Sequence, residues 1–256
     1  IIHPKDGAMY FVIGGRKVQS GLYRVTYKGK ESTDSLIHKA NPSELAMLRH
    51  QLEELHISTD PKAADMAWPH ANHSDKFVRW AALMAIQRLP VKQWADRALE
   101  EENHGKRAYL LLSLSKAAGI DPFHRTPNDP PVDTKMGKAI VQSLLQIKWS
   151  DLTFNEQLAL VRAYQVVLVR FGKTGKELAQ RMINQLDPQF PSQKFELNWL
   201  LCETLSFLEA PSTARKGIAL LLKAPTQEEQ MEYARSLRTL KVGWNQKLRT
   251  DYFNWF

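Results

Sequence analysis

The sequence predicts an all-α fold, an α-solenoid (an α-α superhelix of stacked helical hairpins), preceded by a short N-terminal β-hairpin. From about residue 41 onward, apolar residues recur at helical spacing. Segments of similar pattern repeat along this region, and short turns containing Gly or Pro separate them. Strand-like patterns are confined to about the first 30 residues. We therefore predict a β-hairpin over residues 1–33 and a solenoid over residues 34–256.

The first strand signal is the run Met-Tyr-Phe-Val-Ile at residues 9–13, which Gly14 and Gly15 follow. Residues 21–27 then alternate side chains as a second strand does, which predicts a hairpin with a loop of about seven residues. A two-stranded ribbon is marginally stable alone. We expect it to pack on the solenoid or to be the remnant of a preceding β-domain. Because the chain starts at Ile1 and no signal peptide follows, we also expect it to be a piece of a longer protein.

Helix signals begin at Asn41, where Pro42 suits the first turn of a helix because its missing N–H costs nothing there. The helix should continue through a stripe that includes Leu48 and Leu52. A short second helix should start at residues 60–61 (Asp-Pro) and end near residues 68–69 (Trp-Pro).

The most informative segment spans residues 75–90 and combines a polar pair with small and aliphatic residues at helical spacing. Its pattern is Asp75, Val78, Arg79, Ala81, Ala82, Ala85, Ile86, Leu89 and Pro90. It resembles the core of a HEAT repeat, in which small residues let successive helices approach closely. The resemblance implies that Asp75 and Arg79 belong to a polar ladder between neighbouring repeats. Less regular copies follow at residues 106–117, 161–167, 197–201 and 233–237, at irregular intervals around the roughly 34–47 residues of helical repeats.

The one long irregular connection runs from Gly119 to Asp133 and contains four prolines. Connections of this length are either functional or structural surface excursions. We expect a rigid excursion without chemistry.

The charge distribution bears on partners. The formal net charge is +8, but the excess lies in residues 1–40 and 205–256, whereas residues 41–204 are nearly neutral. A nucleic-acid cradle needs a basic stripe across several repeats, so this distribution argues against nucleic acid as a partner. No apolar run approaches the roughly 18 residues of a membrane span, so no span is expected.

Few residues suggest chemistry. Cys202 is the single cysteine and lies in an apolar run, which predicts a core residue without a reactive thiol. His70 and His73 are spaced as two metal ligands could be, but they follow a Trp-Pro turn, and a metal site needs three or four ligands. The acidic cluster at residues 100–102 has the composition of a solvated helix end.

The sequence lacks a glycine-rich phosphate loop, a Gly-x-Ser-x-Gly elbow and a His-Glu-x-x-His motif, so we predict no catalytic or cofactor-binding residues in this segment. Seven tryptophans are numerous for this length, and we expect most in the core and one or two on a binding face. They are Trp68, Trp80, Trp94, Trp149, Trp199, Trp244 and Trp255.

Five stretches resemble one family, the planctomycete-type multidomain proteins described as membrane-bound dehydrogenases or haem-binding proteins. In that family a propeller similar to sorbosone and glucose dehydrogenases precedes a HEAT-like region, and a c-type cytochrome domain often follows. The stretches are residues 6–10 with 21–25, residues 67–70 with 74–79, residues 186–191 with 196–198 and 201–202, residues 223–230, and residues 237–244.

The resemblance implies a function for the segment by its position between domains. It implies a non-catalytic scaffold in a periplasmic or cell-envelope redox protein, with the flanking propeller and cytochrome domains, or a protein on the concave face, as partners. Haem c, and a quinone or metal in the propeller, would belong to the longer protein and not to this segment. Two alternatives remain open at this point: a HEAT-like nucleic-acid-binding protein related to DNA glycosylases, and a small metal-dependent enzyme built on His70 and His73.

Overall fold

A computed structural model describes residues 2–3, 5–32, 42–60 and 62–256 of the chain. The chain divides into two compact units, Ile1–Ser43 and Glu44–Phe256. The predicted domain boundary between residues 33 and 34 lies outside the described residues.

The first unit contains an antiparallel hairpin of strands β1 (Met9–Gly15) and β2 (Val18–Val25). Met9 pairs with Val25 and Ile13 with Gly21, and the register shifts between Ile13 and Gly15. The connection is therefore tighter than the loop of about seven residues that we predicted. Lys17 in the turn adopts a positive φ of 65°. Pairing continues past the glycines because the register shift accommodates them within the ladder.

The second unit contains twelve α-helices within the described residues. They are α1 (Glu44–Glu54), α2 (Lys62–Ala67), α3 (Lys76–Arg88), α4 (Ala95–Glu100), α5 (His104–Ala118), α6 (Thr134–Leu144), α7 (Phe154–Phe171), α8 (Lys176–Leu186), α9 (Phe195–Phe207), α10 (Thr213–Lys223), α11 (Gln227–Leu237) and α12 (Gln246–Asn254). None of these helices is long and apolar enough to cross a lipid bilayer.

The helices pack as stacked hairpins. The odd-numbered helices form a continuous row in which α1 contacts α3, α3 contacts α5, and so on to α11. Even-numbered helices pack beside this row, with direct contacts between α4 and α6 and between α10 and α12. Each even-numbered helix from α2 to α10 also contacts the odd-numbered helix that follows it, and stacked helical hairpins of this kind form an α-solenoid. The predicted fold class, an all-α solenoid with a short β-hairpin, is confirmed.

Small residues permit the close stacking. Ala81, Ala82 and Ala85 of α3 are completely buried, as the repeat-like pattern predicts. Gly137 of α6 lies so close to α7 that a Cβ atom there would come within 2.6 Å of the Phe171 Cβ atom. One apolar core runs through the whole stack.

Helix starts follow capping chemistry. Asp133 and Asn245 accept hydrogen bonds from backbone N–H groups at the starts of α6 and α12, and Thr153 forms a capping box with Glu156 at α7. The first helix begins at Glu44, so Pro42 precedes it rather than occupying its first turn, and Asn41 lies outside the described residues. The predicted second helix corresponds to α2 and the 3₁₀ turn after it.

Candidate functional site

The two candidate metal ligands lie in the turn before α3. The ring centroids of His70 and His73 are 6.1 Å apart. His73 Nδ1 accepts a hydrogen bond from the Asp75 N–H at 3.0 Å, so this ring stabilises the turn. Partial burial, and then the neighbouring His73, lowers the pKa of His70. Across the ranges that the structure describes, no three His, Cys, Asp or Glu side chains converge to hold a metal ion.

The two residues predicted to form a polar ladder, Asp75 and Arg79, make different contacts. Asp75 is the N-cap of α3 and accepts hydrogen bonds from the N–H groups of Phe77 and Val78, each at 2.9 Å. The hydrogen bond from Val78 is the largest influence that lowers the pKa of Asp75. Arg79 lies 4.8 Å from the centroid of the Tyr109 ring in α5. Of the pair, Arg79 is therefore the residue that contacts the next hairpin.

Other side chains connect the odd-numbered helices, and sequence reasoning missed them. Gln87 in α3 donates from Nε2 to Ser113 Oγ in α5 at 3.0 Å. Arg170 in α7 donates from Nη1 to the carbonyl oxygens of Lys116 and of Gly119, the latter at 2.7 Å. These bonds tie α3 to α5, and α7 to the end of α5.

The connection continues through a carboxylate in α9. Gln165 in α7 donates to Glu203 Oε2 at 2.9 Å, and Arg235 in α11 forms an ion pair with Glu203 Oε1 at 3.2 Å. The sequence signal of this network was the position of Gln165, a polar residue between apolar ones in α7.

A surface groove adjoins this network, since Gln165 and Glu203 both line it. We call it the α5–α7–α9 groove. Its volume is about 390 Å³. Its lining residues come from the end of α5 and the following loop, from one stripe of α7 and from α9. They are Lys116, Asp121, Arg162, Gln165, Val166, Leu168, Val169, Arg170, Glu203, Thr204 and Phe207.

The groove brings three cations together. Lys116, Arg162 and Arg170 line it, and among the described residues none of the three forms an ion pair with a carboxylate. Partial burial, followed by the positive charges of Arg170 and Arg162, lowers the pKa of Lys116. An anion beside these groups would relieve their mutual repulsion.

The predicted acidic cluster at the end of α4 is solvated at Glu100 and Glu102, which are exposed, whereas Glu101 makes structural contacts. Glu101 Oε2 accepts a hydrogen bond from Trp68 Nε1 at 2.6 Å, which joins α4 to the turn after α2. Its Oε1 accepts from the Asn103 N–H at 3.0 Å. His104 at the start of α5 lies 2.8 Å from Asp151 Oδ2. These contacts link neighbouring hairpins.

Most of the remaining candidates, the cysteine and the tryptophans, belong to the core or pack against it. Cys202 is completely buried, as predicted, and burial raises its pKa to about 12, so the thiol stays protonated at neutral pH. Trp68 and Trp94 are buried, whereas Trp80 is 57% exposed. The tryptophans thus serve mainly the core, with Trp80 as the clearest exception.

The connection between α5 and α6 is held by its own polar contacts. Asp121 Oδ1 accepts from the Phe123 N–H at 2.9 Å, and the Thr126 N–H donates to Asp129 Oδ2 at 2.6 Å. Asp121 also lines the groove, and Phe123 is 96% exposed. The segment therefore contributes one wall of the groove as well as a surface aromatic ring.

The fold and the groove define the class of this unit as a helical-hairpin solenoid with a charged surface groove. No family model, no curated protein and no solved structure matches the chain.

Proposed function

We propose that the chain is a non-catalytic scaffold of a longer, periplasmic redox protein. It would hold a propeller-type dehydrogenase domain before it and a c-type haem domain after it at a fixed separation. The face of the odd row would also be available to a partner protein. The sequence stretches that resemble the family provide the domain context, and the haem and any quinone or metal would belong to the flanking domains.

The observation that carries the proposal is the row of odd-numbered helices with its polar connections. The Gln87–Ser113 bond, the Arg170 bonds and the Gln165–Glu203–Arg235 network each join one helix of the row to the next. Side chains that are tied at successive interfaces restrain bending between repeats, which suits a spacer.

The hairpin supports the proposed neighbour. Successive side chains of a strand point to opposite faces of the ribbon, and apolar residues are exposed on both faces. Val12, for example, is 70% exposed and its neighbour Ile13 is 47% exposed. A ribbon with apolar side chains on both faces is suited to a sheet that is packed on both sides. We propose that these strands complete the closing sheet of the preceding propeller.

Replacing the solenoid tests the scaffold role. In the longer protein, a flexible Gly/Ser linker in place of residues 44–256 should slow electron transfer from propeller to haem by about tenfold or more, because a flexible tether lowers the time spent at the productive separation. Stopped-flow reduction of the haem would measure the rate.

The control shows that each end domain still folds. The haem absorption spectrum monitors the haem domain, and activity with a soluble electron acceptor monitors the propeller. Both should be retained. An unchanged transfer rate with the flexible linker would show that fixed spacing is not the function.

A further inference from the structure

We infer that the α5–α7–α9 groove docks a segment of a partner protein in which a carboxylate side chain neighbours an apolar one. This inference rests on the proposed scaffold function, since it specifies what the face of the odd row receives. The groove combines a cationic end with an apolar wall, and each part restricts the chemistry of the occupant.

The cationic end is held in place before any partner arrives. Arg170 is fixed by two backbone carbonyl oxygens. Arg162 donates to Gln165 Oε1 at 2.8 Å, and its guanidinium lies 5.5 Å from the centroid of the Trp199 ring. Fixed guanidinium groups lose little conformational entropy when they bind a carboxylate, which favours binding.

The apolar wall is formed by α7 and α9. Val166 and Val169 are one turn apart on α7, and Val169 is 55% exposed. Phe207 of α9 is 44% exposed and faces the same groove. Apolar side chains exposed around a concavity gain stability when a partner side chain covers them.

The charge pattern favours a protein segment over a nucleic acid. Asp121 and Glu203 also line the groove, and these carboxylates would repel a chain of phosphates. Glu203 is already engaged by Gln165 and Arg235, so Asp121 is the carboxylate of the groove that remains to balance its three cations. A single carboxylate with an apolar neighbour fits this arrangement, and a volume of about 390 Å³ accommodates side chains of that size.

Binding should depend on pH through Lys116. Its lowered pKa means that it loses its proton at a pH below the ordinary lysine value of 10.5. The charged groups around it in the groove are Arg162, Arg170, Asp121 and Glu203. Because the anion favours the protonated amine, affinity should fall as the pH rises through the lowered pKa, and the Lys116→Gln variant should lack this dependence.

The test uses the full 256-residue chain and an array of peptides that place Asp or Glu beside Leu, Val or Phe in a neutral background. Array peptides in which Asn or Gln replaces the acid are the ligand controls. Fluorescence anisotropy of the strongest binders should give a Kd that Lys116→Gln and Arg162→Gln each raise about tenfold. Neither residue belongs to the buried core, so the variants should keep the melting temperature of the unchanged protein.

Arg215→Gln is the matched control, because Arg215 is an exposed arginine of α10 outside the groove, and this variant should change Kd by less than about twofold. The inference is overturned if no acidic peptide binds, if the amide peptides bind equally well, or if Arg215→Gln weakens binding as much as the groove variants. Groove-dependent binding of a single-stranded oligonucleotide in place of the peptides would also overturn it. None of these results would alter the electron-transfer test, so failure of the groove and failure of the scaffold role are distinguishable.

Discussion

Replacing Leu160 with alanine should lower the free energy of unfolding by about 3–5 kcal/mol, the range for emptying a fully packed leucine site. Leu160 is completely buried in α7, and α7 packs against α5, α6 and α9 in the centre of the stack. Urea unfolding followed by circular dichroism would measure the change. Because stacked hairpins contact only their neighbours, a central lesion should also broaden the transition as the two ends uncouple.

Val169→Ala is the control for this experiment, since Val169 lies on the same helix but is 55% exposed. Its truncation should change stability by no more than about 0.5 kcal/mol. A loss below about 1 kcal/mol for Leu160→Ala would mean that α7 is not the packed centre of the row.

A substitution in the turn before α12 should also lower the free energy of unfolding substantially. Gly243 has a φ of 76°, and a Cβ atom added there would overlap the carbonyl oxygen of Pro211. Gly243→Ala combines an unfavourable backbone conformation with a clash against backbone, which should cost about 3 kcal/mol. A lower melting temperature, together with faster hydrogen exchange in α12, would show the effect.

A substitution at Gly172 distinguishes backbone strain from the clash with the Pro211 carbonyl oxygen. Its φ is 82°, but a Cβ atom there would meet open space. Gly172→Ala should therefore cost less than Gly243→Ala, about 2 kcal/mol, from the strain of the backbone alone, because a φ of 82° with a ψ of −173° is a conformation that glycine adopts and other residues rarely do. Equal losses in the two variants would remove the close approach to Pro211 from the account.

The fold was predictable because its signals are local. The spacing of Val78, Ala81, Ala82, Ala85 and Ile86 marks the face of one helix, and these five side chains are buried in α3. Turn residues such as Pro90 and Gly172 likewise mark helix ends from within a few residues. The hairpin loop was less predictable, since the register shift near Gly15 depends on pairing with β2.

The candidate site was not predictable in the same way. Gln165 and Glu203 are 38 positions apart, and the cations of the groove come from two helices, α5 and α7. Such residues meet only because the helices stack, so no local sequence pattern predicts their contact. The sequence instead drew attention to His70 and His73, whose spacing is explained by a turn in which His73 accepts a backbone hydrogen bond.

The scaffold proposal is tested most directly by determining the coding sequence on both sides of this segment. The account predicts strand-rich propeller repeats before Ile1 and a Cys-x-x-Cys-His haem motif after Phe256. A reading frame that starts immediately before Ile1 and stops immediately after Phe256, with neither domain present, would contradict it.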